Sequence, residues 1–517
     1  MDAQRTLTVP AIAFTCPDDS DCSVNTTVDA DKARSMSEGS KITPQVSQQS
    51  KEDTPDELWA VDPINPRNWS MKKKWASVSI VALYTFIPPL TSSMMAPGLP
   101  DIAINYDIDN STILALTLSI FVLALAIGPL VIGPLSELYG RKWVLHIANL
   151  LSLAFNLGCA FAPTTSALIA LRFFSGLSGS APIAIGGGSI GDLFNEKERG
   201  SAMALYTLGP LLGPVIGPIC GGFIAQSIGI KWVFIIIAIL NGVASVIGLP
   251  ILRETYHPYL RMRQAIKNGV DLEKVMGAGS GMGVYEEKKG KLFWVSIARP
   301  VHLLFGDIIC FTLSLYMAFM YGIYYLMFAT FPGFFSTTYG FSVGIDGLVY
   351  IGLGVGFFLS TIVGAKLGNR VYEHLSNKLN NGVGKPEYRI PSLIFGSLFV
   401  PVGLLWYGWS AQAEIHWIMP IIGSAIYGFG QMLTYFPIQL YLVDTFTYAA
   451  SAVSAAAFFR SLFGFAFPLF AQDMFNVLGL GGGMSLLAGV AIVLGIPFPI
   501  FLWYKGEALR ARSSLAR

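Results

Sequence analysis

The sequence predicts an all-α membrane protein with twelve transmembrane helices in two six-helix halves and with both termini in the cytoplasm. Hydrophobic residues make up 53% of the 517 residues, charged residues make up only 13%, and the mean hydropathy is +0.56. Soluble domains carry roughly 25% charged residues, so this chain lacks the charge to cover several soluble surfaces. Apolar runs that recur along the chain, and basic residues that fall in alternate loops, complete the prediction.

The first 70 residues form a segment of different composition. They hold twelve acidic and six basic residues, so this segment carries a net charge of −6 and the rest of the chain carries +8. The segment contains no apolar run that could form a core, and we therefore expect 1–70 to be a disordered cytoplasmic tail. Polar sequence follows Met1–Val9, which does not fit the long apolar region of a signal peptide.

Twelve apolar runs follow this tail, and each is long enough to cross a hydrocarbon core of about 30 Å as a helix. Six precede a polar central loop and six follow it, as expected of a transporter with two six-helix halves. The predicted parts are an N-terminal half over 71–252, a central loop over 253–300, a C-terminal half over 301–504 and a cytoplasmic tail over 505–517. The runs lie near 75–97, 111–135, 143–162, 167–191, 201–225, 232–252, 301–331, 343–368, 391–410, 415–440, 449–471 and 481–503.

Basic residues predict the orientation. The loops on one side of the membrane contain many Lys and Arg residues, whereas those on the other side offer only Lys231. Because Lys and Arg are enriched in cytoplasmic loops, the termini and the central loop are predicted to be cytoplasmic. The basic residues outside the central loop are Lys72–Lys74, Arg141, Lys142, Lys197, Arg199, Lys366, Arg370, Lys378, Lys385, Arg389, Lys505, Arg510, Arg512 and Arg517.

The loop between the second and third spans combines glycines with charges. Gly133 and Gly140 allow a tight turn with close helix approach. Glu137 lies just before the third span, where the helix dipole favours a carboxylate. Arg141 can reach Asp192 at the cytoplasmic end of the fourth span, which predicts a charge cluster that locks one conformation. The alternative is an ordinary charged loop on the inside.

Few ionisable residues lie inside the spans. A charge at the centre of a span costs about 2.5–3.5 kcal/mol on insertion scales, so Arg172 is expected to face a cavity or a partner. Snorkelling is the alternative. Arg460 lies within the eleventh span. Asp307 lies in the seventh span and is a candidate proton carrier, because burial favours the neutral form of a carboxyl group. A solvated position at the cytoplasmic end is the alternative for Asp307.

Glycine recurs every four residues in the fifth span, and proline follows three of these glycines. A helix face without side chains allows close packing, and each proline bends the helix by removing a backbone donor. We expect this helix to form a smooth rocking surface between the two halves, with tight packing alone as the alternative. The residues are Gly209, Pro210, Gly213, Pro214, Gly217, Pro218, Gly221 and Gly222.

Aromatic and amide side chains in the later spans predict a substrate cavity. Small-molecule pockets combine an apolar wall with a few polar groups, whereas tyrosines in interfacial belts are the alternative. A cavity with few carboxylates favours neutral or weakly charged amphipathic organic molecules. The predicted lining residues are Tyr321, Tyr325, Gln431, Tyr435 and Arg460.

The sequence predicts neither an enzyme nor a metal or cofactor site. The five histidines are scattered and form no ligand spacing. The glycine-rich stretch 186–191 fits a dinucleotide-binding pattern but lies inside an apolar span, not between a strand and a helix. The expected partners are a small-molecule substrate, protons and the lipid bilayer, without nucleic acid, and the expected state is a monomer. Asn110 begins a glycosylation sequon in the first outer loop.

Three motifs resemble those of the major facilitator superfamily. The segment 133–142 resembles motif A, whose residues gate the cytoplasmic side. The segment 168–176 resembles motif B, whose arginine is implicated in proton coupling, and this resemblance gives that role to Arg172. The glycine and proline run of the fifth span resembles motif C of the twelve-span drug:proton antiporters. The motif A matches are Gly133, Glu137, Gly140, Arg141 and Lys142.

Two further segments resemble fungal members of this family. The segment 62–70 is similar to their N-P-x-N-W-S leader, and 254–258 is similar to their P-E-T-Y-x-P segment, although Arg253 replaces the usual proline. The resemblance implies a proton-coupled exporter of a hydrophobic drug, toxin or secondary metabolite in the plasma membrane, with the vacuolar membrane as the alternative. A nutrient uptake permease is the functional alternative, and a transport-inactive sensor is a third class.

Overall fold

We describe the fold from a computed structural model, in which the described residues are 59, 61–195, 198–268, 298–446 and 449–513. Nearly all of the predicted tail over 1–70, apart from Trp59 and 61–70, lies outside these residues. The larger part of the central loop, Lys197 and the last four residues also lie outside them.

The N-terminal half consists of eight helices that make six crossings. Its first crossing breaks at the short turn Ala96–Gly98, and its fourth breaks at Ser180, with Pro182 at the start of the following helix. The helices are α1 (Met71–Ser93), α2 (Leu99–Asn105), α3 (Ser111–Tyr139), α4 (Arg141–Ala160), α5 (Thr165–Gly179), α6 (Ala181–Leu193), α7 (Arg199–Ile228) and α8 (Ile230–Ile251). The short helix α9 (His257–Asn268) follows them.

The C-terminal half begins at Asp307, which separates the helical residues 298–306 from the next span. Its sixth helix divides at Gly479, whose φ of 72° and ψ of 167° are not helical. The helices are α10 (Ile308–Tyr339), α11 (Val343–Val349), α12 (Ile351–Asn380), α13 (Ile390–Gln412), α14 (Ile418–Thr445), α15 (Ala449–Gly495) and α16 (Pro497–Arg510).

Within the described residues, ten helical stretches are long and apolar enough to cross a membrane. The stretch Ser451–Arg510 spans 60 residues and divides at Gly479, so it supplies two crossings. Helix α14 has 28 residues and is long enough for a further crossing. The twelve crossings agree with the predicted all-α fold of two six-helix halves.

Two of the boundaries that differ from the predicted ones have a clear cause in the structure. The seventh span was predicted over 301–331, whereas α10 begins at Ile308 because Asp307 Oδ1 accepts hydrogen bonds from Ile309 N (2.9 Å) and Cys310 N (3.0 Å). Such a cap satisfies the free N–H groups of a helix start. The last helix continues six residues beyond the predicted boundary at 504, and Arg510 at its end pairs with Glu387 at 2.8 Å.

The two halves meet mainly along two pairs of helices. Helix α3 packs against α15, and α7 packs against α11. We call the end of the bundle that carries Lys72, Arg141, Arg389 and Arg510 the basic end, and the opposite end the outer end. The positive-inside rule places the basic end in the cytoplasm.

Hydrogen bonds join the halves near the outer end. Thr112 Oγ1, in the first turn of α3, donates to Leu469 O of α15 at 3.2 Å. Gln226, near the outer end of α7, accepts from Gly344 N of α11 at 2.7 Å and from the Ser342 hydroxyl at 3.1 Å. The structure therefore has its outer end closed.

Candidate functional site

A charge cluster lies at the basic end of the N-terminal half. Arg141 Nε, at the start of α4, lies 2.6 Å from Asp192 Oδ2 at the end of α6. The Arg141 guanidinium also stacks on the Tyr256 ring at 5.0 Å. Thr255 Oγ1 donates to Asp192 Oδ2 at 3.4 Å, and His257 Nε2 donates to Asp192 O at 2.9 Å. The structure thus brings Arg141 and Asp192 together and adds the segment that follows α8.

Glu254 occupies the N-terminus of α4, the position that the sequence analysis gave to Glu137. Its carboxylate accepts from Arg141 N (2.9 Å) and Lys142 N (3.0 Å), which are free donors of the first helical turn. Glu137 lies exposed in the last turn of α3 and interacts electrostatically with Arg141 and Arg299. The group that accepts hydrogen bonds from the start of α4 is therefore Glu254, while Glu137 lies four residues before Arg141 and keeps an electrostatic interaction with it.

The two motif A glycines have different surroundings. Gly140 has a φ of +85°, and a Cβ atom there would overlap the Glu254 carboxylate. Gly133 has free space around its Cα, so the predicted close approach applies to Gly140 and not to Gly133. Lys142 points away from the ion pair, with Nζ 5.4 Å from the centroid of the Trp143 ring.

The residues in and next to the two segments that resemble fungal family members contact each other beside this cluster. Trp59 Nε1 donates to His257 Nδ1 at 3.3 Å, and Gln264 Nε2 of α9 donates to Asp62 Oδ2 at 3.0 Å. Arg261 stacks over the Trp59 ring at 5.0 Å. The leader and the residues after α8 thus form one structural unit at the basic end.

Arg172 of α5 is fully buried, with 0% of its surface exposed. Its guanidinium donates to Thr91 O (3.1 Å), Thr117 O (3.3 Å) and Leu118 O (3.4 Å), and it stacks on the Phe121 ring at 4.8 Å. Thr91 lies in the last turn of α1, where carbonyl groups lack partners within the helix. Arg172 therefore connects α1, α3 and α5, and it does not snorkel.

Arg460 of α15 lies among tyrosines at the middle of the bundle. Its guanidinium is 4.5 Å from the Tyr321 ring centroid and 5.6 Å from that of Tyr435, and Nη1 donates to the Tyr435 hydroxyl at 3.3 Å. The Tyr325 hydroxyl donates to Ser92 Oγ of α1 at 2.9 Å, across the two halves. Four of the predicted cavity residues are thus brought together.

Gln431, the fifth predicted cavity residue, lies about one turn before Tyr435 on α14. It is buried, and its Oε1 atom has no hydrogen-bond partner. From the N-terminal half, Tyr206 of α7 interacts electrostatically with Tyr435. Both halves therefore contribute polar side chains to this region.

The glycine face of α7 packs mainly within the N-terminal half. A Cβ atom at Gly209 would lie 2.9 Å from Phe86 N, and one at Gly213 would lie 2.8 Å from Leu90 N, both on α1. Gly217 and Gly221 contact the end of the same helix. A Cβ atom at Gly222 would instead lie 2.6 Å from Val343 O of the other half. The expected rocking surface is therefore smaller than the motif, because four of its glycines serve the packing of α7 on α1.

Two predicted residues have capping roles. The Asp307 carboxylate caps α10, as described above, and its proposed role in proton transfer stays a prediction. Asn110 is exposed and caps α3, since its Oδ1 accepts from Thr112 N (2.8 Å) and Ile113 N (3.1 Å). Glycosylation of Asn110 also stays a prediction.

A buried carboxylate inside a predicted span was not among the predicted site residues. Asp346 of α11 has 2% of its surface exposed, and its Oδ1 atom has no hydrogen-bond partner. The signal was present, because Asp346 lies inside the predicted span 343–368 as Asp307 lies inside 301–331. Over the described part of the chain, no group of three or more His, Cys, Asp or Glu side chains is arranged to hold a metal ion.

The fold and this site define a class of protein. Two six-helix halves that meet around charged and aromatic groups at mid-depth have the architecture of a membrane transporter. A sequence profile of the Major Facilitator Superfamily matches residues 81–468. The chain belongs to the Major Facilitator Superfamily.

Relatives with named activities cover most of the chain. It is 44% identical over 451 residues to the efflux pump radE of Floropilus chiversii, which covers 87% of this chain and 83% of that protein. It is 46% identical over 458 residues to the efflux pump vrtL of Penicillium aethiopicum, and the match covers 88% of this chain and 90% of that protein. It is also 43% identical to the MFS-type transporter penM of Penicillium rubens, and the match covers 87% of this chain and 88% of that protein.

Solved structures show the same fold. The structure of a D-xylose–proton symporter covers 82% of this chain and 98% of its own, with a TM-score of 0.61 and 15% identity. A partially occluded inward-open structure of the xylose transporter XylE from E. coli covers 84% and 98%, with a TM-score of 0.60 and 15% identity. These structures support the architecture and not the substrate.

Proposed function

We propose that this protein exports an amphipathic small molecule from the cytoplasm in exchange for protons. The identity of 44% and 46% to two named efflux pumps over 87% and 88% of the chain carries the direction of transport. The site at mid-depth, which combines tyrosine rings with Arg460, supports a substrate with both apolar and polar parts. The plasma membrane is the proposed location.

Transport follows alternating access between the two halves. The outer end is closed by the α3–α15 and α7–α11 contacts, so substrate release requires these contacts to separate. At the basic end of the N-terminal half, the Arg141–Asp192 ion pair joins α4 to α6, so these two helix ends form one structural unit. Glu137 interacts electrostatically with Arg299, and so connects this unit to the helical residues 298–306 that lead into the C-terminal half. We assign the motif A residues to this conformational control.

Proton coupling is the part of the proposal that a gradient experiment tests directly. Inside-out membrane vesicles that contain the protein are given a fluorescent amphipathic dye and an acidic interior. We expect dye uptake into the vesicles, and we expect a protonophore to abolish the part of this uptake that exceeds uptake in vesicles without the protein.

Each other outcome has a defined meaning. Uptake that persists after the proton gradient collapses would remove protons from the mechanism while leaving export intact. If cells with the protein accumulate more substrate than cells without it, the direction is wrong and the protein is an uptake permease.

A further inference from the structure

Arg460 has a buried donor that no protein group satisfies. One nitrogen donates to the Tyr435 hydroxyl, and the faces of two tyrosine rings contact the guanidinium. The Nε atom is buried and has no hydrogen-bond partner. A buried charged donor without an acceptor is unfavourable, so the position favours an acceptor that arrives from outside the protein.

The N-terminal half contributes another cation, the fully buried Arg172. Tyr325 interacts electrostatically with both Arg172 of the N-terminal half and Arg460 of the C-terminal half. The described groups that interact most strongly with Arg460 are the phenols of Tyr435, Tyr321 and Tyr325, which are neutral near pH 7. Two positive charges in a region of low dielectric are weakly screened. The middle of the bundle therefore has a positive potential.

We infer that Arg460 binds the ionised acidic group of an aromatic amphipathic substrate. This inference rests on the proposed export function and narrows its substrate class to organic acids in their anionic form. A guanidinium offers paired donors to a carboxylate or an enolate, and the rings of Tyr321 and Tyr435 give flat surfaces for the aromatic part. Anionic organic acids thus take the place of the neutral or weakly charged substrates that the sequence predicted.

A matched pair of probes separates charge from apolar contact. Pyrenebutyrate and its methyl ester share the ring system but differ in charge, and their binding to the purified protein in nanodiscs is followed by fluorescence, with empty nanodiscs subtracted. We expect the wild-type protein to bind the carboxylate more tightly than the ester. We expect Arg460→Gln to weaken carboxylate binding about 10- to 100-fold, the range for a hydrogen bond to a charged group, and to leave ester binding unchanged.

Two further variants sharpen this test. Arg460→Lys keeps the charge without the paired donors and should give intermediate affinity for the carboxylate. Lys231→Gln removes an exposed cation in the first turn of α8 at the outer end, which lies 3.9 Å from the Phe161 ring centroid, and should bind both probes as the wild type does. Equal weakening of both probes by Arg460→Gln, or equal wild-type affinity for both, would overturn the inference.

Transport in inside-out vesicles separates this inference from the proposed function. If the wild type discriminates the probes in binding but moves neither of them into vesicles, export is wrong and the anion site stands. If the wild type moves both probes equally and Arg460→Gln does the same, export stands and the anion site is wrong.

An independent observation concerns Asp346 in the closed seam between α7 and α11. The neighbouring residues on both sides cross this seam, since Gly344 N bonds to Gln226 and a Cβ atom at Gly347 would overlap Pro218 O. Asp346, which lies between these two residues on α11, is buried in this closed structure, and its Oδ1 atom has no hydrogen-bond partner. The carboxylate is therefore enclosed when the outer end closes.

The described neighbours offer this carboxylate no positive charge. Gln226, the polar residue that α7 presents at the seam, is an uncharged amide, and the turn 96–98 is formed by Ala, Pro and Gly. Tyr339 of α10 donates its hydroxyl to Ile415 O at 2.6 Å. Tyr350 interacts electrostatically with Asp346 but donates its hydroxyl to Phe328 O at 2.9 Å. An unpaired buried negative charge is costly, so the closed seam favours the neutral acid.

We propose that Asp346 binds a proton from the outer side and that this binding favours closure of the outer end. Opening the seam brings the carboxyl group to water, where it ionises, and closing the seam requires it to be neutral. The closed state therefore holds the proton more tightly than the open state, and acid on the outer side shifts the equilibrium toward closure.

Distance measurements between spin labels test this proposal. Labels are attached at Ile228→Cys and Val477→Cys, two exposed positions at the outer ends of the two halves, after replacement of the native cysteines by serine. We expect shorter distances at about pH 5 than at about pH 8, because the higher proton concentration favours the closed state that binds the proton. Asp346→Asn, a neutral replacement of nearly the same shape, should give the short distances at both pH values.

The exposed carboxylate of Asp473 on α15 provides the matched control. Asp473→Asn should keep the wild-type response to pH. A wild-type distribution that does not change with pH, or an Asp346→Asn variant that still responds, would overturn the proposal. These distances are measured without substrate or a gradient, so the result does not depend on export.

Discussion

Replacing Arg172 by alanine is expected to reduce transport at least about 100-fold while the protein remains folded in the membrane. Thr117 O and Leu118 O lie within α3 and can keep their helical hydrogen bonds, so the variant leaves mainly Thr91 O without a partner. One unsatisfied buried carbonyl costs about 1–3 kcal/mol, which lowers stability without unfolding the protein. Transport suffers more, because the link between α1, α3 and α5 and one of the two central charges are lost together.

Initial rates of dye uptake in inside-out vesicles, normalised to the amount of protein, measure this effect. Thermal unfolding in detergent monitors the fold. Arg172→Lys keeps the charge but cannot reach three carbonyl groups, so we expect an intermediate rate. Lys231→Ala removes an exposed cation in the first turn of α8 at the outer end and should transport normally. A wild-type rate for Arg172→Ala would exclude Arg172 from the mechanism.

The membrane fold was predictable because its main signal is local. A span of about 20 apolar residues is required by the thickness of the bilayer, and basic residues mark alternate loops, so both can be read along the chain. The family prediction is confirmed for the same reason, since its motifs are short and continuous. The predicted start of α10 was wrong because Val301, Leu303, Leu304 and Phe305 are apolar, and hydropathy cannot show that Asp307 begins a new helix.

The arrangement of the site was less predictable because it depends on contacts between distant residues. Glu254 reaches the start of α4 from 113 residues along the chain, whereas Glu137 is near in sequence but lies exposed. The glycine pattern of α7 predicted a smooth face, but only the structure shows that this face meets α1. The pattern gives the period of close packing and not the identity of the partner helix.

Gly347→Val is the substitution with the second large expected effect. A Cβ atom at Gly347 would overlap Pro218 O, a backbone atom of α7 in the other half. Valine therefore prevents the outer ends of α7 and α11 from closing, and we expect transport to fall at least about 10-fold, since closure is a required step of alternating access. The fold should persist, because the clash is relieved when the two halves separate at this end.

Two other glycines separate this effect from general damage to packing. Gly213→Val places the same side chain against Leu90 N at 2.8 Å, but both helices belong to the N-terminal half and cannot separate during transport. We expect the free energy of unfolding of that variant to fall by about 1–3 kcal/mol, the usual cost of an overpacked site. A side chain at position 333 would enter free space, so Gly333→Val should behave as the wild type. The spin-label distances should lengthen in Gly347→Val alone, and short distances in that variant would contradict the assignment of this contact to the outer closure.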